Sequence, residues 1–169
     1  MKSDISTNFD SAKESAAVFA IYEGRILLKR YQFEGIWCCG ATMGKFLKNS
    51  EDPTQELIKL EKEELGIDLP PKYICAIVSY INKPKPDGRV RLTSSIYLLE
   101  ISEGIKSKIK KDPQHRWMKV EEVNNSKEIR EDDKFIFTRI LEQKYNDIVL
   151  DVDQMEKWAK AKLLGWKEA

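Results

Sequence analysis

The acid-rich segment EDPTQELIKLEKEELGI, with Glu56, Glu63 and Glu64, is the part of the chain whose residue types could do chemistry. Carboxylates gathered along one helical segment can hold a hard divalent cation through oxygen. The rest of the composition narrows the choice. A single histidine, His115, excludes a His-pair zinc motif and most histidine-rich metal sites. The three cysteines, Cys38, Cys39 and Cys75, are an odd number, which fits a reducing cytosol better than a disulfide framework. A metal bound here is therefore held by carboxylates, which favours Mg²⁺ or Mn²⁺ over zinc. At ~100° per residue, positions 56, 60, 63, 64 and 67 share one broad helical face. Glu61 points about 160° from Glu63, between Leu57 and Leu65, so it is a poor partner for that face.

The element that must position these side chains is a helix expected from Asp52 to Leu65. Ser50 or Asp52 can cap it, Pro53 suits its first turn and Gly66 suits its stop. Upstream, AAVFAIYEGRILLKR holds two apolar runs split by Glu23-Gly24, a hairpin signal. FEGIWCCGATMGKFLKNSE carries three glycines without a period and reads as loop with short strand pieces. Downstream, KYICAIVSYI and RVRLTSSIYLLEI read as strands joined through NKPKPDG, and HRWMKV as a shorter strand. DDKFIFTRILEQKY and VDQMEKWAKAKLLGW have helical spacing. The order predicts an α+β sandwich, a mixed sheet covered by helices, with an extra C-terminal helix.

The 169 residues fit one domain, divided as a polar leader over 1–15, the main domain over 16–145 and a helix over 146–169 packed on it. With 41% hydrophobic and 34% charged residues, the chain reads as soluble and globular. Its net charge of +1 exerts no general pull on nucleic acid or membrane. No apolar run approaches the ~20 residues of a membrane span. The polar start lacks the apolar core of a secretory signal, so a cytoplasmic location is expected. Trp158 and Trp166 are expected to dock on the chain's own domain, with a partner subunit as the alternative.

EDPTQELIKLEKEELGI resembles the Nudix box, G-x5-E-x7-R-E-U-x-E-E-x-G-U with U a bulky aliphatic residue. Glu51, Glu63, Glu64, Gly66 and Ile67 match it, and a GxW-like Gly35-Ile36-Trp37 precedes it. The resemblance covers roughly residues 15 to 142, most of the chain. Lys45 stands at the box glycine, Lys59 at the arginine, Leu60 at the first catalytic glutamate and Glu61 at the aliphatic position. The resemblance implies an α/β/α sandwich and Mg²⁺- or Mn²⁺-dependent hydrolysis of a nucleoside diphosphate linked to another moiety, a pyrophosphatase-type reaction on a small-molecule nucleotide. Glu63, Glu64 and Glu51 are then the catalytic residues, with Lys59 and Glu51 bracing the box. Glu56 lies one turn before Leu60 and can replace its missing carboxylate, so that Glu56, Glu63 and Glu64 form a rearranged metal site; a solvated charge near a helix N-terminus, where acids are favoured, is the plainer reading. The alternative is a catalytically inactive Nudix-fold module that binds a nucleotide or a protein.

The resemblance also marks Arg30 as a phosphate contact, beside Lys29, and Trp37, with Tyr31, as a surface for stacking a base; exposed strand-end charge and packing are the plainer readings. Asp112 matches a further metal-proximal acid, or is an Asp-Pro turn. His115 reads as a surface or packing residue. Lys83, Lys85, Arg89 and Arg91 make a basic hairpin, without the interleaved aromatics that stack nucleic acid. Cys38-Cys39 after Trp37 is similar to isopentenyl-diphosphate isomerase, but the histidines that family needs are missing.

Overall fold

The computed structural model describes residues 12–33, 35–82, 89–143 and 148–150. The apolar runs around Glu23-Gly24 form β1 (Ala12–Tyr22) and β2 (Arg25–Phe33). Glu23 and Gly24 have φ of 45° and 73°, the two-residue geometry whose twist suits an antiparallel hairpin. The inner end of the segment read as leader, residues 12–15, belongs to β1, which begins at Ala12. There Ser15 is buried, and its hydroxyl is satisfied by that of Ser94 at 2.7 Å. Residues 1–11 lie outside the described ones.

The glycine-bearing stretch after β2 contains the short strand pieces expected of it. It forms β3 (Ile36–Gly40), paired with β2, and β4 (Met43–Phe46), paired with β1. After α1 (Pro53–Glu64) come β5 (Lys72–Asn82), β6 (Arg89–Glu100), the single turn α2 (Glu103–Lys106) and β7 (His115–Met118). Two helices, α3 (Val120–Asn125) and α4 (Glu131–Leu141), precede β8 (Ile148–Leu150). The sheet runs β3-β2-β1-β6-β5-β8, with β4 on β1 and β7 on β2. It is mixed, because β1 is parallel to β6 and β5 to β8 while the other pairs are antiparallel.

Burial on both faces explains why β1 reads as a nearly unbroken apolar run. Ala17 and Phe19 join Ile26, Leu28, Val123, Ile136, Phe137 and Ile140 beneath α3 and α4. Ala16, Val18, Ala20 and Tyr22 join Leu27, Met43, Leu57, Leu60 and Leu65 beneath α1. Helices on both faces of a mixed sheet make the expected α/β/α sandwich.

The tail expected as helix over 146–169 contains a strand in its described part. The β-branched Ile148 and Val149 pair with Ile77 and Val78 of β5. The helix expected over 152–166, with Trp158 and Trp166, lies outside the described residues, as do Lys83 and Lys85. No helix among the described residues is long and apolar enough to cross a membrane.

Candidate functional site

Helix α1 forms where its end signals place it. Asp52 Oδ2 accepts from the Gln55 backbone N–H at 3.0 Å and so takes the cap. Ser50 has a φ of 75° and lies outside the helix. At the other end the Leu65 and Gly66 N–H groups both reach the Glu61 carbonyl, at 2.9 and 3.0 Å. Gly66 has the positive φ, 71°, that such a stop needs.

The face that α1 buries differs from the expected one. Leu57, Leu60 and Glu61 turn inward, and Ile67 beyond the helix end is buried with them. Leu60 is therefore a core residue beside Leu57 and Leu65, and neither it nor Ile67 shares an outward face with the glutamates. The spacing 57, 60, 61 is the i, i+3, i+4 stripe that packs a helix on a sheet. Glu61 does lie between Leu57 and Leu65, as its angle implies. One of its oxygens accepts from the Leu69 N–H. The other is buried with no hydrogen-bond partner among the described residues. Burial pushes this carboxyl up to about 7.

The outward carboxylates are divided among lysines. Lys45 lies on the same side of β4 as Met43, with its side chain only 8% exposed. Its ammonium lies 2.8 Å from Glu56 Oε1 and 3.4 Å from Glu51 Oε2. The Lys45 hydrogen bond holds the Glu56 carboxyl below its ordinary range, and the Glu56 bond raises Lys45. Glu56 Oε2 also meets Lys59 at 3.2 Å, and Glu51 Oε1 accepts from the Lys48 N–H at 2.7 Å. Lys59 thus pairs with Glu56, rather than with Glu63 or Glu51. Lys29 of β2 reaches Glu64 at 3.1 Å. Glu63 is exposed, and its carbonyl accepts from the Lys110 ammonium at 3.0 Å.

Glu56, Glu63 and Glu64 are not brought together: no three His, Cys, Asp or Glu side chains among the described residues form a group able to hold a metal ion. A divalent ion on this helix would find Glu51 and Glu56 held by Lys45, a buried leucine at 60 and Glu64 paired with Lys29. That donor set does not fit Mg²⁺ or Mn²⁺.

Arg30 and Trp37 do meet, but on the other side of the sheet. Along β2, Leu27 packs beneath α1 and Leu28 beneath α4, so Lys29 follows the first and Arg30 the second. Arg30 makes a two-pronged pair with Glu128, Nε to Oε1 at 2.9 Å and Nη2 to Oε2 at 2.7 Å. Its guanidinium carbon lies 3.8 Å from the Trp37 ring centroid. One face of Trp37 is thus covered by Arg30, whose fork is occupied by Glu128. Cys39 sits beside Glu128, and burial pushes its thiol up to about 11, which keeps it protonated and unreactive at neutral pH.

Asp112 serves its turn, where Oδ1 accepts from the Gln114 N–H at 2.8 Å. His115, in register with Lys29, packs with Nε2 at 3.2 Å from the Thr42 carbonyl. A carbonyl only accepts, so Nε2 carries the proton. Sequence reasoning missed Glu128, which stands in no motif. It noted Lys45 as a misfit in the box without foreseeing its carboxylate partners.

Neither a family model nor a curated protein matches the chain. Solved structures do. The chain is similar to a Mutator MutT protein from Bacillus halodurans, with a TM-score of 0.55 at 18% identity over 82% of this chain and 86% of that one. A NUDIX family hydrolase from Clostridium perfringens gives 0.52 at 14% identity, over 78% and 97%. A UDP-X diphosphatase gives 0.54 at 14% identity, over 82% and 67%. The strand order, the single helix over Pro53–Glu64 and these likenesses together give the chain the fold of the Nudix hydrolases.

Proposed function

We propose that the chain is a Nudix-fold binding domain for a nucleoside diphosphate linked to a further group, and that it turns this ligand over weakly or not at all. The observation that carries this reading is the division of the box carboxylates among the chain's own lysines. Lys45 holds Glu51 and Glu56, and Lys29 holds Glu64. A hydrolase of this fold needs those carboxylates for a cation that positions an attacking water. Here the apolar Leu60 replaces one of them, lysine ammonium groups hold two more, Glu51 and Glu64, and Lys45 also takes Glu56, the candidate substitute.

Phosphate recognition then falls to ammonium groups directly. Lys59, with its side chain 69% exposed, and the partly exposed Lys29 offer two along α1. Such binding needs no metal and weakens as salt screens the charges.

The experiment is a calorimetric and hydrolytic screen over nucleoside triphosphates, sugar nucleotides, dinucleoside polyphosphates and capped RNA, each with Mg²⁺ and with chelator. The expected result is binding of one class that chelator leaves intact and Lys29→Gln weakens, without turnover. Mg²⁺-dependent turnover by the wild type, lost in Glu64→Gln, replaces this reading with the hydrolase that the sequence resemblance implies.

A further inference from the structure

A buried ammonium is costly unless carboxylates surround it, and Lys45 has two. One comes from the loop before α1 (Glu51) and one from the first turn of α1 (Glu56). The second oxygen of each is also engaged, Glu51 by the Lys48 N–H and Glu56 by Lys59. Lys45 reaches them from β4, in the strand position after Gly44 and on the side that Met43 shares with Leu57 and Leu60. Two carboxylates from successive parts of the chain thus converge on one enclosed positive charge.

We propose that Lys45 is a tethered cation: its ammonium takes the place that a free divalent ion would fill between Glu51 and Glu56. It fixes α1 and the preceding loop to β4 without metal. Removing the ammonium leaves two facing carboxylates with Lys59 as the remaining cation paired with them among the described residues. Lys59 is largely exposed and reaches Glu56 alone, so the vacated position repels α1 from the loop until a divalent cation enters. The idea concerns the same carboxylates as the binding-domain reading, but its test contains no nucleotide. Failure here therefore leaves nucleotide binding undecided, and the reverse also holds.

The test uses the full chain, with Mn²⁺ as the probe, read by electron paramagnetic resonance of free Mn²⁺ and by thermal unfolding. Wild type is expected to melt at the same temperature in Mn²⁺ and in chelator. Lys45→Ala is expected to melt about 10 °C lower in chelator and to recover most of that loss in Mn²⁺. It should take up Mn²⁺ at a site that wild type lacks, and adding Glu56→Gln should abolish both effects. Should Lys45→Ala not fold in chelator, refolding in Mn²⁺ reads the same property, and failure to fold in either overturns the proposal. Two other results also overturn it: a folded Lys45→Ala that takes up no Mn²⁺, or a wild type that takes up Mn²⁺ at a site removed by Glu56→Gln.

Discussion

Leu69 donates its backbone N–H to the buried carboxyl of Glu61, and that bond ties the inner face of α1 to the chain leading into β5. The second oxygen of this carboxyl has no hydrogen-bond partner among the described residues. A neutral acid tolerates that enclosure, whereas a carboxylate loses its hydration there. The sandwich therefore contains an ionisable group whose preferred state is the uncharged one.

That preference has a sign in stability. The folded carboxyl titrates at about 7, and an unfolded one near its ordinary value of ~4.3. Between these values the folded state keeps a proton that the unfolded state has released, so stability falls as pH rises. The contribution is complete below the unfolded value and gone above the folded one. Glu61→Gln is expected to be as stable as wild type at about pH 4 and more stable above about pH 7. Thermal unfolding of both proteins across this range measures the difference, and a gap that does not widen with pH contradicts the assignment.

The Arg30–Glu128 pair titrates in the opposite sense. Its hydrogen bonds hold Glu128 below the ordinary carboxyl range, so its stabilisation is present above that range and lost as pH falls through the lowered value. Both side chains remain about a third exposed, at 30% and 28%, which keeps the contribution small. Arg30→Lys is expected to recover little of the loss in Arg30→Ala, because an ammonium reproduces neither the fork nor the stacking on Trp37. Urea unfolding of the two variants beside Glu128→Gln decides it; full rescue by lysine means that charge alone matters.

The two lysine pairs on α1 should differ in strength despite similar lengths. Lys29–Glu64 is open to water on both sides, at 33% and 26% exposure, while Lys45–Glu56 is enclosed at 8% and 13%. Lys29→Met is expected to cost less than ~1 kcal/mol. Lys45→Met should cost clearly more, because Glu56 and Glu51 are left without their enclosed partner. Equal costs in chemical denaturation mean that the enclosure of Lys45 is not maintained in solution.

Local signals made the helix legible in the sequence. Asp52, Pro53 and Gly66 act within one turn of their own position, so α1 was readable almost to the residue. The Glu23-Gly24 turn was equally local. What escaped depends on distant strands. Lys29 and Arg30 are neighbours in the chain, yet the pleat sends one to Glu64 and the other to Glu128, 98 residues beyond Arg30. No periodicity around Glu128 announces that partner. Lys45 breaks the box pattern visibly, but its meaning required knowing that β4 lies under the first turn of α1. The three residues of β8 are too few to outweigh the helical pattern that follows them.

Leu60 is the substitution that most tempts repair, and its burial changes what repair would do. Leu60→Glu places a carboxyl among Leu57, Leu65 and Met43, which should cost ~2–4 kcal/mol. Glu61 already buries a carboxyl at the next position, so the chain has the acid and the aliphatic residue in the reverse of the box order. Leu60→Glu combined with Glu61→Leu fills the Glu61 enclosure with an apolar side chain and should recover part of that cost, less the hydrogen bond that the Leu69 N–H loses. Urea unfolding is expected to rank the double variant between wild type and Leu60→Glu. Leu60→Glu as stable as wild type would mean that residue 60 is not in the core. The double variant should still show no Mg²⁺-dependent hydrolysis, because Lys45 continues to hold Glu51 and Glu56. Hydrolysis by the double variant alone would show that Leu60, and not Lys45, is what keeps the box from acting.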